Sequence, residues 1–132
     1  MKRFIFFTAC LFSSFSLLAQ FHAGEKVSVR EPYADDIYIA GGELSIDAPI
    51  GGDCVIAGGQ ISLNDSIAED LIVGGGEINI RGIVGDDVRA AGGELEIESD
   101  IMDDLIVFGG QVKIKESCTI HGNLVSFGGE LR

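Results

Sequence analysis

The chain has 132 residues, room for one domain, with 9 Lys and Arg against 21 Asp and Glu and a formal charge of −12. That balance argues against nucleic acid as a partner, because little here could neutralise a run of phosphates. A hydrophobic content of 46% excludes a disordered acidic tail, and 19 glycines, about twice ordinary usage, point to many tight turns or close backbone approaches.

The first element is a leader. Lys2 and Arg3 form a short positive region, FIFFTACLFSSFSLLA runs apolar to Ala19, and Gln20 opens a polar stretch. This predicts a signal peptide over residues 1–19, cut after Ala19, and an exported protein of the periplasm or cell envelope. An uncleaved anchor is the other reading, for which about 16 apolar residues are short. A lipid attachment at Cys10 would leave too short a stretch after Arg3. Loss of Lys2 and Arg3 leaves seven basic residues against 21 acidic ones, a charge of −14. After cleavage no membrane span is expected.

Residues 20–34 read as an N-terminal cap or linker, with Val27 and Val29 as a partial rung. From residue 35 to 132 the chain is periodic. Gly-Gly pairs stand at 41–42, 58–59, 75–76, 92–93, 109–110 and 128–129, four steps of 17 and one of 19. In register the units are DIYIAGGELSIDAPIGG, DCVIAGGQISLNDSIAE, DLIVGGGEINIRGIVGD, DVRAAGGELEIESDIMD and DLIVFGGQVKIKESCTIHG, then the half unit NLVSFGGELR. A fixed period of this kind means an array.

Within each unit, β-branched residues alternate with polar ones and are broken by Gly-Gly and an acidic turn. This predicts an all-β fold, a single-stranded β-solenoid of five to six coils with about 17 residues per coil. Each coil has two short strands and a weaker third side at Ile50, Ile67, Val84 and Ile101. Numbering each unit from its first Asp or Asn, columns two, four, nine, eleven and fifteen are apolar nearly throughout and form the core. Cys54 falls in column two, as a small buried side chain. Cys118 lies three coils away, beyond disulfide reach, so both thiols are expected free.

The recurring units DIYIAGGELSI and DCVIAGGQISL, joined by Gly-Asp or Asp-Asp turns, resemble the bactofilins, or polymer-forming cytoskeletal proteins, and especially their exported relatives. The resemblance spans residues 35–132 and rests on repeat architecture. It implies a β-helix that polymerises end to end without nucleotide or other cofactor. The chain differs from the cytoplasmic members in carrying a leader and in stopping at Arg132, half way through a coil.

Two exposed features remain. Columns three and five point outward on the strand before Gly-Gly, and they are apolar too: Tyr38, Val55, Ile72, Arg89, Ile106, Val125, then Ala40, Ala57, Gly74, Ala91, Phe108, Phe127. Such a face calls for a cover, either residues 20–35 folded across it or a partner. The second feature is the acidic corner, where Asp70, Asp86, Asp87, Asp103 and Asp104 are weak Ca²⁺ candidates. The favoured reading there is that each Asp accepts hydrogen bonds from its own turn. Glu96 and Glu98 should face Lys113 and Lys115 one rung on.

No catalytic constellation is legible. His121 sits near Cys118 in the two-residue insertion without a third orienting group, and His22 lies near the start of the mature chain. The expectation is therefore a non-catalytic structural protein, with neither metal nor cofactor, that self-assembles or scaffolds envelope proteins. Its mechanism would be strand addition at the half coil, through Leu124, Phe127 and Leu131 with Phe108. The alternatives are a monomeric surface module holding a protein, glycan or Ca²⁺ partner, and a fragment of a longer membrane-anchored protein.

Overall fold

The computed structural model describes residues 20–132; the expected signal peptide, residues 1–19, lies outside the described residues. Seven strands follow in chain order: β1 (Gln20–Val29), β2 (Ile37–Ile46), β3 (Cys54–Leu63), β4 (Leu71–Ile80), β5 (Val88–Ile97), β6 (Leu105–Ile114) and β7 (Leu124–Leu131). They form one parallel sheet in the order β1 to β7, each strand bonded to the next. Ile37 pairs with Cys54, Cys54 with Leu71 and Leu71 with Val88, one repeat apart. The fold is the β-solenoid that the period predicts, of about six turns.

The two short strands of each coil are one strand bent at Gly-Gly. Pairing runs through the first glycine, Gly41 to Gly58, and resumes at Glu43 and Gln60. The bend follows from the apolar phase. Ile37 and Ile39 are buried, then Leu44 and Ile46. That step from position 39 to 44 reverses the period-two alternation, so the chain must turn to keep both pairs inside. Glycine is required there because a Cβ on Gly58 would meet the Gly41 carbonyl oxygen and the Leu44 side chain.

The third side is a single bridge per coil, running Tyr33, Ile50, Ile67, Val84, Ile101, Ile120. The two-residue insertion is absorbed in a turn, where the Cys118 N–H donates to the Lys115 carbonyl at 3.0 Å. Ile120 still reaches Ile101. The five apolar columns close into one continuous core from Ile37 to Val112, with Val27, Val29, Tyr33, Ile114, Cys118 and Ile120 packed at its ends. Each buried Leu or Ile contributes about 1.5–3 kcal/mol.

Residues 20–34 do not lie across the outward face. β1 pairs with β2 in parallel from Gln20 to Val29, and Tyr33 bridges to Ile50, so this segment makes a coil of its own. The physical reason is register: Gly24 falls opposite Gly41, and Val27 and Val29 opposite Leu44 and Ile46. A strand that can extend both the ladder and the core does so in preference to crossing it.

Candidate interaction surfaces and the acidic corner

The last rung carries the first surface. In β2 to β6 the column-two residues, from Ile37 to Leu105, are at most 1% exposed. Leu124, their equivalent in β7, is 44% exposed, and Leu131 in column nine is 52% exposed where Val112 is 2%. The Phe127 ring stacks on Phe108 with centroids 5.0 Å apart and planes at 11°. Both rings stay about half exposed on their outer faces. On the last two rungs Leu124 and Leu131 thus lie at the opened core, and Phe108 and Phe127 stack on the outward face.

The lateral face is the second surface. Tyr38, Ile72 and Val125 are exposed, and Val55 and Ile106 are half-buried in the same column. Arg89 interrupts the column and is held by Asp87, Nη2 to Oδ2 at 3.3 Å. With β1 committed to the ladder, no strand among the described residues covers this face.

At the acidic corner the structure corrects the turn reading. Each column Asp accepts from the N–H of the Asp one rung on, not from its own turn. The Asp53 N–H donates to Asp36 Oδ1 at 2.8 Å, that of Asp70 to Asp53 at 3.0 Å, and that of Asp87 to Asp70 at 3.1 Å. Asp104 donates likewise to Asp87, and Asn123 to Asp104. At the corner the strand starts, so the Asp N–H needs an acceptor, and the carboxylate below is the one within reach.

The five candidate acids fall into two groups, Asp70 with Asp86 and Asp87, and Asp87 with Asp103 and Asp104, and Asp36, Asp53 and Glu69 form a third. Within each group one carboxylate oxygen of every residue lies within 4.8 Å of the others. The third group was not singled out because glycine, Gly52, takes the acid's place before Asp53. Crowding raises two carboxyls above their ordinary values. Glu69 is pushed up first by the charge of Asp53, then by lost solvation and Asp36. Asp86 is pushed up first by lost solvation, then by Asp70, Asp87 and Asp103. Such groups can attract a hard cation, yet one oxygen of each column Asp from Asp36 to Asp104 already serves the backbone.

On the strand after the bend the side chains form polar ladders. Asn64 donates to Asp47 Oδ1 at 2.8 Å, and Arg81 to Asn64 Oδ1 at 3.2 Å. Lys115 takes both glutamates, Glu96 at 2.9 Å and Glu98 at 4.0 Å. These exposed pairs set register more than stability. Lys115 holds the Glu96 carboxyl below its ordinary value, and the Asn64 and Ser45 hydrogen bonds do the same for Asp47.

The two described cysteines are both free. Burial pushes the Cys54 thiol up to about 12, which makes it inert. Cys118 donates to the Ile97 carbonyl at 3.0 Å, an anchoring contact, and the His121 backbone N–H donates to Ile101. Among the described residues, no helix is long and apolar enough to cross a membrane. Comparison with known protein families, with curated proteins and with solved structures finds no match to this chain.

Proposed function

We propose that this chain is a non-catalytic structural protein of the cell envelope that assembles end to end, a second copy adding its strand to the free edge of β7. The observation that carries this reading is the opening of the core at the last rung. Leu124 and Leu131 are 44% and 52% exposed while their column equivalents are buried in the coils before them. A parallel strand laid on β7 would pair its backbone groups and cover both leucines, and a further aromatic ring could continue the Phe108–Phe127 stack. The likeness of the repeat to bactofilins supports the same mechanism, and the leader supports export. No cofactor enters it.

The test is a pair of variants. Phe127→Arg places a charge on the joining surface, and truncation at Gly122 removes β7. Each should abolish assembly while the far-ultraviolet β signal remains. Assemblies that persist in both variants contradict the reading.

One observation favours a second reading, a monomeric surface module: the apolar lateral face is left uncovered by β1. Concentration dependence separates the two, because self-assembly is steep in protein concentration and the binding of a separate ligand is not.

A further inference from the structure

The lateral face has a charge pattern that narrows what can cover it. Along the strand, column one precedes the apolar columns three and five, and column eight follows them just past the Gly-Gly bend. Column one is Asp36, Asp53, Asp70, Asp87 and Asp104. Column eight is Glu43, Gln60, Glu77, Glu94, Gln111 and Glu130. The apolar strip is therefore framed on both long edges by five aspartates and four glutamates. Two rim glutamates are paired, Glu43 with Lys26 at 3.5 Å and Glu130 with Arg132, which leaves Glu77 and Glu94 on that edge; within the strip the one cation among the described residues is Arg89, paired with Asp87.

We infer that this framed strip binds a cationic segment of another protein, one that presents apolar side chains to the strip and lysines or arginines to the two rims. Apolar contact would come from Tyr38, Ile72, Phe108 and Val125, which are exposed. The small residues Ala40, Ala57, Gly74 and Ala91 leave a flat floor on four successive rungs before the Phe108 and Phe127 rings rise at one end. Opposite charge along both edges orients the segment and speeds its capture.

The same pattern disfavours the other occupants. A second copy laid face to face would set acidic rims against each other, whether the two rods run parallel or antiparallel, and like charges so placed oppose association. An anionic lipid surface is repelled for the same reason. End-to-end assembly uses the edge of β7 and meets this strip only at the Phe108–Phe127 stack, so Ile72 probes the strip alone.

The experiment uses the full chain recovered from an exporting host and a labelled alternating Leu–Lys peptide of about ten residues, long enough to run the strip. Binding is read by fluorescence anisotropy against a Ser–Lys peptide, a Leu–Glu peptide and phosphatidylcholine vesicles. Binding of the Leu–Lys peptide is expected to weaken steeply with salt. It should weaken about tenfold in Ile72→Asn and in Phe108→Asn, both surface positions whose change leaves thermal unfolding intact. Lys113→Gln, on the strand half after the bend, should leave it unchanged.

Equal binding of the Ser–Lys peptide would reduce the effect to charge adsorption and overturn the inference. So would face variants that bind as the parent does, or no binding of the Leu–Lys peptide at all. Vesicle binding lost in Ile72→Asn would make lipid the occupant. Loss of a dimer in that variant without added peptide would make it a second copy. Loss of end-to-end assembly in Leu131→Asp, at the β7 edge and off the strip, with Leu–Lys binding retained separates the two sites.

Discussion

Asp70 Oδ1 accepts the backbone N–H of Asp87 at 3.1 Å, one full coil further along the chain. The same bond recurs from Asp36 to Asn123, so each carboxylate ties its rung to the next at the corner where the strand begins. A column of like charges is thereby tolerated, because each charge satisfies a backbone donor that would otherwise be orphaned.

Asp70→Ala should therefore cost about 1–3 kcal/mol in urea unfolding, since the Asp87 N–H loses its acceptor. Asp70→Asn keeps a carbonyl at that place and relieves repulsion, and should stay within about 1 kcal/mol of the parent. Equal losses in the two variants would mean that charge, not the acceptor, is what the rung needs.

The raised carboxyls of Glu69 and Asp86 give a pH signature. The folded chain holds these protons more tightly than the unfolded chain, whose ordinary values are 4.5 and 3.8. Their contribution to stability is fully present below those ordinary values and is lost as pH rises through the raised folded ones. Glu69→Gln and Asp86→Asn should thus raise Tm near neutral pH, and the gain should vanish in acid. Asp47 and Glu96 act with the opposite sign: their stabilisation is present above their ordinary values of 3.8 and 4.5 and is lost as pH falls through the lowered folded ones.

Two glycines should respond in opposite directions to the same change. Gly58→Ala drives a methyl into the Gly41 carbonyl and should cost about 1–3 kcal/mol. At Gly74 the nearest atom to an added Cβ is the Ala91 oxygen at 3.9 Å, an ordinary contact. Gly74→Ala should gain about 0.4–1 kcal/mol through the unfolded chain. Chemical denaturation reads both.

Ser99 is 4% exposed, and its hydroxyl finds no partner among the described residues. Ala48 holds the equivalent place three repeats toward the N-terminus, buried in the same way. Ser99→Ala should raise stability by about 1 kcal/mol, seen as a higher Tm. A lower Tm would show that the hydroxyl has a partner after all.

The Gly-Gly period and the apolar columns made the solenoid, its core and its outward columns legible, because stacking turns every repeat position into one environment. β1 was harder to see, since FHAGEKVSV keeps only one glycine of the pair. Its signal was the Ala-Gly step and the V-S-V alternation, which match Ala40–Gly41 and Leu44–Ile46. The Asp ladder was not legible: sequence placed the carboxylates in one column, but which N–H each one reaches depends on how the corner stacks. The third acid group, Asp36 and Asp53 with Glu69, was missed because Gly52 stands before Asp53 where an acid stands before Asp70, Asp87 and Asp104.

The most direct test of assembly through β7 is light scattering after size exclusion on residues 20–132, over a concentration series with and without Ca²⁺, followed by negative-stain microscopy. The account predicts oligomers or filaments that grow with concentration, do so equally in both conditions, and disappear in Phe127→Arg. A strict monomer at every concentration would contradict it.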